Sequence, residues 1–157
     1  MRIVVAFLLL LLIFIFPQTV FADELDYLEV FHHVADADNN ISLTSYIIKI
    51  PTWLTTENRA LVVFTEVFNN IDPDKMIFAP HGVAVLDVFF FSEYSHLVVN
   101  LSAEIMMYGG TYFEYRLVEK LLANATAMPD VAHFTVLVDG QPTYLPEGTR
   151  INAVNVV

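Results

Sequence analysis

The chain has 157 residues, no cysteine, and a formal charge of −11 from seven Lys/Arg and 18 Asp/Glu. The lack of cysteine excludes disulfides, thiol redox chemistry, cysteine-ligated zinc or iron–sulfur sites and lipid attachment to an N-terminal cysteine. The basic residues are scattered, so there is neither the stripe that neutralises nucleic-acid phosphates nor the polybasic segment that holds a protein on an anionic membrane surface.

Met1-Arg2 is followed by an unbroken apolar run from Ile3 to Phe16, ended by Pro17-Gln18. That run is shorter than the roughly 20 residues a membrane-spanning helix needs. Val20 and Ala22 then stand three residues and one residue before Asp23, a small-residue pattern that a signal peptidase reads. Residues 1–22 are therefore expected to be a signal peptide cleaved after Ala22. Residues 23–157 are expected to be one extracytoplasmic domain, secreted or associated with the cell envelope, with no membrane anchor once cleaved. Without Arg2 this part carries six Lys/Arg against 18 Asp/Glu, a formal −12.

Two β-rich stretches, Leu28 to Val34 and Ile41 to Ile50, flank the polar turn Ala35-Asp36-Ala37-Asp38-Asn39-Asn40 and predict a hairpin. Thr55 or Thr56 is placed to cap a helix running to about Asn69, with Ala60, Leu61, Phe64, Val67 and Phe68 as its apolar stripe. Asn69-Asn70 and Asp72-Pro73-Asp74 end it. Strands are predicted from Val83 to Phe91 and from His96 to Leu101, the second returning antiparallel. Thr111 and Glu114 have the spacing of a capping box, opening a helix with Val118, Leu121, Leu122 and Ala125 as its stripe. Met128-Pro129-Asp130 stops this helix. Phe134 to Val138 is a strand, Asp139-Gly140 a tight turn, and Ile151 to Val157 a final extended piece. The expected fold is α+β: two layers, with a mixed β-sheet in β-β-α-β-β-α-β order and two helices packed on one face.

Several ordered blocks of the sequence resemble the GerMN domain family of bacterial sporulation and germination proteins. They are Leu97-Val98-Val99-Asn100-Leu101-Ser102-Ala103-Glu104, then Tyr108-Gly109-Gly110, Met128-Pro129-Asp130-Val131 and Val136-Leu137-Val138-Asp139-Gly140-Gln141. The blocks lie within residues 28–150. The resemblance implies a topology like that of the ring-building modules of sporulation complexes. It also implies a non-catalytic domain working in sporulation or germination through a protein partner or self-association.

The residues themselves carry little chemistry. Asp36-x-Asp38-x-Asn40 imitates the start of a calcium loop, but Ile41 and Ile47 stand where an EF-hand has its glycine and its bidentate glutamate. The five histidines have no H-x-x-x-H or H-x-H spacing, and no G-x-S-x-G elbow surrounds a serine. No catalytic, cofactor-binding or metal-binding residue is assigned, and an enzyme is not expected. The aromatic surplus around Phe89-Phe90-Phe91, Tyr108 and Tyr112-Phe113 fits core packing first, and an interaction surface on the second sheet face as the sharper alternative. Strand alternation puts Phe89 and Phe91 in the core and Phe90 on the opposite face. Phe90, Tyr108 and Tyr112 are thus the expected surface residues. A domain that binds a small ligand or cell-wall glycan, or less favourably a hydrolase, is the alternative.

Overall fold

The computed structural model describes residues 24–70 and 77–157. The expected export segment with its cleavage point lies outside them, as does the Asp72-Pro73-Asp74 helix stop.

Strands β1 (Leu25–Ala35) and β2 (Ile41–Pro51) pair antiparallel in one uninterrupted register, from Leu25 opposite Pro51 to Ala35 opposite Ile41. The turn between them is held by Asp36. Its Oδ1 accepts from the backbone N–H groups of Asp38 and Asn40, both at 2.9 Å, and its Oδ2 accepts from Asn40 Nδ2 at 3.1 Å. The carboxylate that opens the calcium-like pattern is thus spent on donors inside its own turn.

Helix α1 (Thr56–Asn69) begins at Thr55, whose side chain accepts from the backbone N–H of Asn58. Its buried stripe is Ala60, Val63, Phe64, Val67 and Phe68, while Leu61 faces outward. Arg59 ties this helix to the hairpin: its guanidinium donates to Asp26 Oδ2 at 2.7 Å and to the carbonyls of Leu54 and Thr52. Strands β3 (Val85–Phe91) and β4 (His96–Leu101) are antiparallel. Helix α2 (Thr111–Thr126) then carries the chain over to β5 (His133–Val138), which lies parallel to β4. Parallel neighbours need such a crossover. Asp139 and Gly140, both at positive φ, form the two-residue turn expected there, with reciprocal Val138–Gln141 backbone bonds. A two-residue strand β6 (Val154–Asn155) closes the order β3-β4-β5-β6.

The α+β order is as the sequence predicts, with one refinement. The opening hairpin keeps a sheet of its own, separate from the four-stranded mixed sheet. Asn124 of α2 supplies a local reason, because its side chain bonds both backbone polar groups of Phe31 on β1. A side chain there occupies hydrogen-bonding groups that a third strand would have used.

One core joins the layers. It contains Leu28, Val30 and Ile50 from the hairpin, the α1 stripe, Leu117, Leu121 and Ala125 of α2, and Leu97, Val99, Leu101, Phe134 and Val136 from the sheet. Phe64 stacks on Phe134 with ring centres 5.5 Å apart. The inner residues of β4 and β5 alternate with an outer set, and that outer set makes the second face of the sheet.

Candidate interaction surface

Register fixes which residues share the outer face. Phe91 on β3 is opposite His96 on β4, which is opposite His133 on β5; Phe89, Val98 and Thr135 form the next row, and Asp87, Asn100 and Leu137 the third. The first row is a band of rings, with Phe91–His96 centres at 6.3 Å and His96–His133 centres at 6.2 Å. Polar bonds stiffen the middle of the face. His96 Nε2 lies 2.8 Å from Thr135 Oγ1, Asn100 Nδ2 donates to Asp87 Oδ2 at 3.2 Å, and Asn100 Oδ1 accepts from the Gly140 N–H at 2.7 Å. Burial, then the neighbouring His133, lowers the pKa of His96, so the imidazole is neutral at neutral pH.

The aromatic rim of this face corrects the expected one. Phe89 and Phe91 are 47% and 51% exposed, whereas Phe90 turns inward and packs against the core. The register shifts between Val85 and Asp87, a β-bulge that inverts alternation counted from Val83. The signal was present in the sequence: Asp87 has the same parity as Phe89 and Phe91, and an acid on β3 belongs outside. Beyond Phe91 the chain makes a 3₁₀ turn, Ser92–Tyr94, which holds Tyr94 68% exposed. Phe90 to Tyr94 line an open depression of about 370 Å³.

Tyr108 and Tyr112 lie elsewhere, at the start of α2, and among the described residues no ring contact links either to Phe90. Tyr108 stacks on Phe113 with centres 4.7 Å apart and donates its hydroxyl to Glu114 Oε2 at 2.8 Å. Burial, with the Glu114 hydrogen bond and charge added, pushes the phenol pKa up. Tyr112 is exposed, meets Phe78 edge-on at 5.5 Å, and lies under the Arg116 guanidinium at 5.3 Å from its ring centre. Of the three expected surface residues, Tyr112 alone is well exposed.

The predicted capping box is also replaced. Gly110 is the N-cap of α2, and Glu114, 1% exposed, does not reach back to it. The Glu114 carboxylate instead accepts from the backbone N–H of Glu147 at 2.7 Å and of Thr149 at 2.9 Å, as well as from Tyr108. Glu147 caps the helix from the same loop, accepting from the Gly110 N–H at 2.8 Å. A loop more than thirty residues away thus does the work expected of the local pair. Burial pushes the Glu114 pKa up, but the bonds from Thr149, Glu147 and Tyr108 outweigh it and hold the carboxyl below its usual value.

The predicted α2 stripe is rotated as well. Leu121 and Ala125 are buried as expected, but Leu117 joins them, while Val118 and Leu122 are only partly covered. Lys120 and Asn124 are buried alongside. Lys120 Nζ donates to the Ile77 carbonyl, and burial pushes its pKa down to about 8. His33, buried on β1, reaches Glu119 Oε2 at 3.0 Å through Nε2, and Arg116 meets the same oxygen at 2.9 Å. Among the described residues, no group of three or more His, Cys, Asp or Glu is placed to hold a metal ion.

No family model matches the sequence. No curated protein matches it. Solved structures do match the fold. A putative lipoprotein from Clostridium perfringens is 16% identical with a TM-score of 0.54, over 81% of this chain and 84% of that one. The first GerMN domain of the sporulation protein GerM from Bacillus subtilis is 14% identical with a TM-score of 0.55, over 79% of this chain and 95% of that domain. The tandem GerMN domains of the same protein give 13% identity and a TM-score of 0.58, with 81% of this chain covering 46% of the pair. At these identities the likeness is one of fold, and the chain has the fold of a GerMN domain.

Proposed function

We propose that this chain is an exported, non-catalytic domain that binds a protein partner at the cell envelope during spore formation or germination. The observation that carries the reading is the outer face of the four-stranded sheet, where Phe89 and Phe91 stand half-exposed and Phe91 lines one depression with Tyr94. Large apolar side chains gathered on one sheet face are what an interface core is made from. The likeness in fold to domains of a sporulation protein and to a putative lipoprotein supports the envelope setting. A non-catalytic role is supported by the buried Glu114 carboxyl and the partly buried Tyr108 phenol, since the two bond each other and Glu114 bonds backbone N–H groups. A partner fits better than self-association, because two copies of a strongly acidic domain repel one another.

The test is a deletion strain scored for heat-resistant spores and for germination. Loss of either, restored by the wild-type chain, is expected. Unchanged spores and germination would reject the role. The depression beside Tyr94 favours a second reading, the stacking of a sugar ring on an aromatic side chain. Normal spores together with binding to purified wall glycan would favour that alternative.

A further inference from the structure

We infer that the open edge of β3 takes up an extended, basic segment of the partner as an added strand. The inference rests on the proposed role as a protein-binding domain and names the partner's chemistry.

The geometry comes first. β3 is the end strand of its sheet and has β4 on one side only. From Asp87 to Phe91 its register with β4 is regular, so alternate N–H and C=O groups face away from the sheet. Among the described residues, these groups make no backbone hydrogen bond outside the ladder. Natural edges of this kind are usually blunted by charged residues, above all lysine, by proline, a bulge or great shortness, or by a covering helix or loop. The other edge of this sheet follows that rule, since β6 has two residues. β3 has its bulge only at the start, and its last five residues, Asp87-Val88-Phe89-Phe90-Phe91, contain neither lysine nor proline. Among the described residues, this edge is regular and largely apolar, and no strand pairs with it.

Charge selects the occupant. The sequence has no Lys or Arg from residue 76 to 115, from 121 to 149, or from 151 to 157. All four strands of the sheet lie within these stretches, so none carries a cation. Asp87 stands exposed on β3, and Glu93 is exposed in the turn that follows. A strand added to β3 sends alternate side chains to the outer face, beside Asp87, Phe89 and Phe91. Lysine or arginine there meets a carboxylate at one end and ring faces at the other, a setting that favours guanidinium and ammonium groups. An acidic strand would meet only like charge. Backbone pairing supplies the affinity and this row supplies the choice of partner.

The test uses the full chain and three labelled nine-residue peptides. One alternates valine with arginine, the second has glutamate for arginine, and the third is the arginine peptide N-methylated at alternate residues. Fluorescence anisotropy reads affinity, and hydrogen exchange reads protection of the β3 amides. The arginine peptide is expected to bind and to slow exchange in residues 87–91. The other two are expected to bind at least about tenfold more weakly, one lacking the charge and the other the pairing groups. Phe91→Lys should weaken the arginine peptide by a similar factor, with Tyr27→Lys on the hairpin as the control that should not. Equal binding of the methylated and unmethylated peptides, or protection outside β3, would overturn the inference. A peptide that fails while residue 91 still crosslinks to a protein in cells would also overturn strand addition, yet leave the broader protein-binding role standing. A peptide that binds as expected in a strain whose deletion has no spore phenotype would support the inference and count against the sporulation role.

Discussion

Asn124 bonds the backbone of Phe31 in both directions, its Oδ1 accepting from the N–H at 3.0 Å and its Nδ2 donating to the C=O at 2.9 Å. The two residues are 93 positions apart, so α2 holds the hairpin against the rest of the domain by imitating a strand. Asn124→Leu would leave both backbone groups partly buried and unpaired. A loss of about 1–3 kcal/mol in urea unfolding is expected. A change under about 0.5 kcal/mol, the size of an ordinary surface effect, would show that the contact carries no stability.

Lys120 should act against stability at neutral pH. Its pKa is depressed in the fold, to about 8 from 10.5, so the unfolded chain holds the proton more tightly between those values. Stability contributed by this group therefore rises as pH increases through that window. Lys120→Met should remove this component of the rise and leave the domain as stable or more stable at pH 7. Unfolding curves at pH 7 and pH 9.5, for both chains, check the sign.

Glu114 works in the opposite sense. Its folded pKa lies below the unfolded value of 4.5, so its contribution is present above that value and is lost as pH falls through the folded pKa. Wild type should lose more stability between pH 6 and pH 3 than Glu114→Gln, which lacks the titrating carboxylate. Parallel curves for the two chains would contradict the assignment.

The inversion of β3 gives a clean contrast. Phe90→Glu puts a charge against the core and should cost about 2–4 kcal/mol. Phe91→Lys, on the half-exposed face, should change stability by less than about 1 kcal/mol. Thermal melts of both variants decide which ring faces inward.

Local signals were readable in the sequence. Thr55 caps α1, Phe64 and Phe68 lie on its buried stripe, and Asp139-Gly140 turns the chain, because each depends on neighbours within a few residues. The face of β3 is harder to read, because a bulge breaks period-two alternation and only the parity of Asp87 with Phe89 and Phe91 hints at it. His96 and His133 meet only through parallel pairing, which a sequence of elements does not specify. Glu114 and Lys120 are hidden for the same reason: their partners, Thr149 and Ile77, come from distant loops. Where charge decides, the sequence was more informative, since the stretches free of Lys and Arg already contain all the strands of the sheet.

The most direct test of the central claim is site-specific photocrosslinking in sporulating cells. A photoreactive residue placed at position 91 is expected to give a discrete adduct with another protein, while the same residue at position 27 on the hairpin gives none. No adduct at 91, or equal adducts at both positions, would contradict the assignment of the outer face of the sheet as the binding surface.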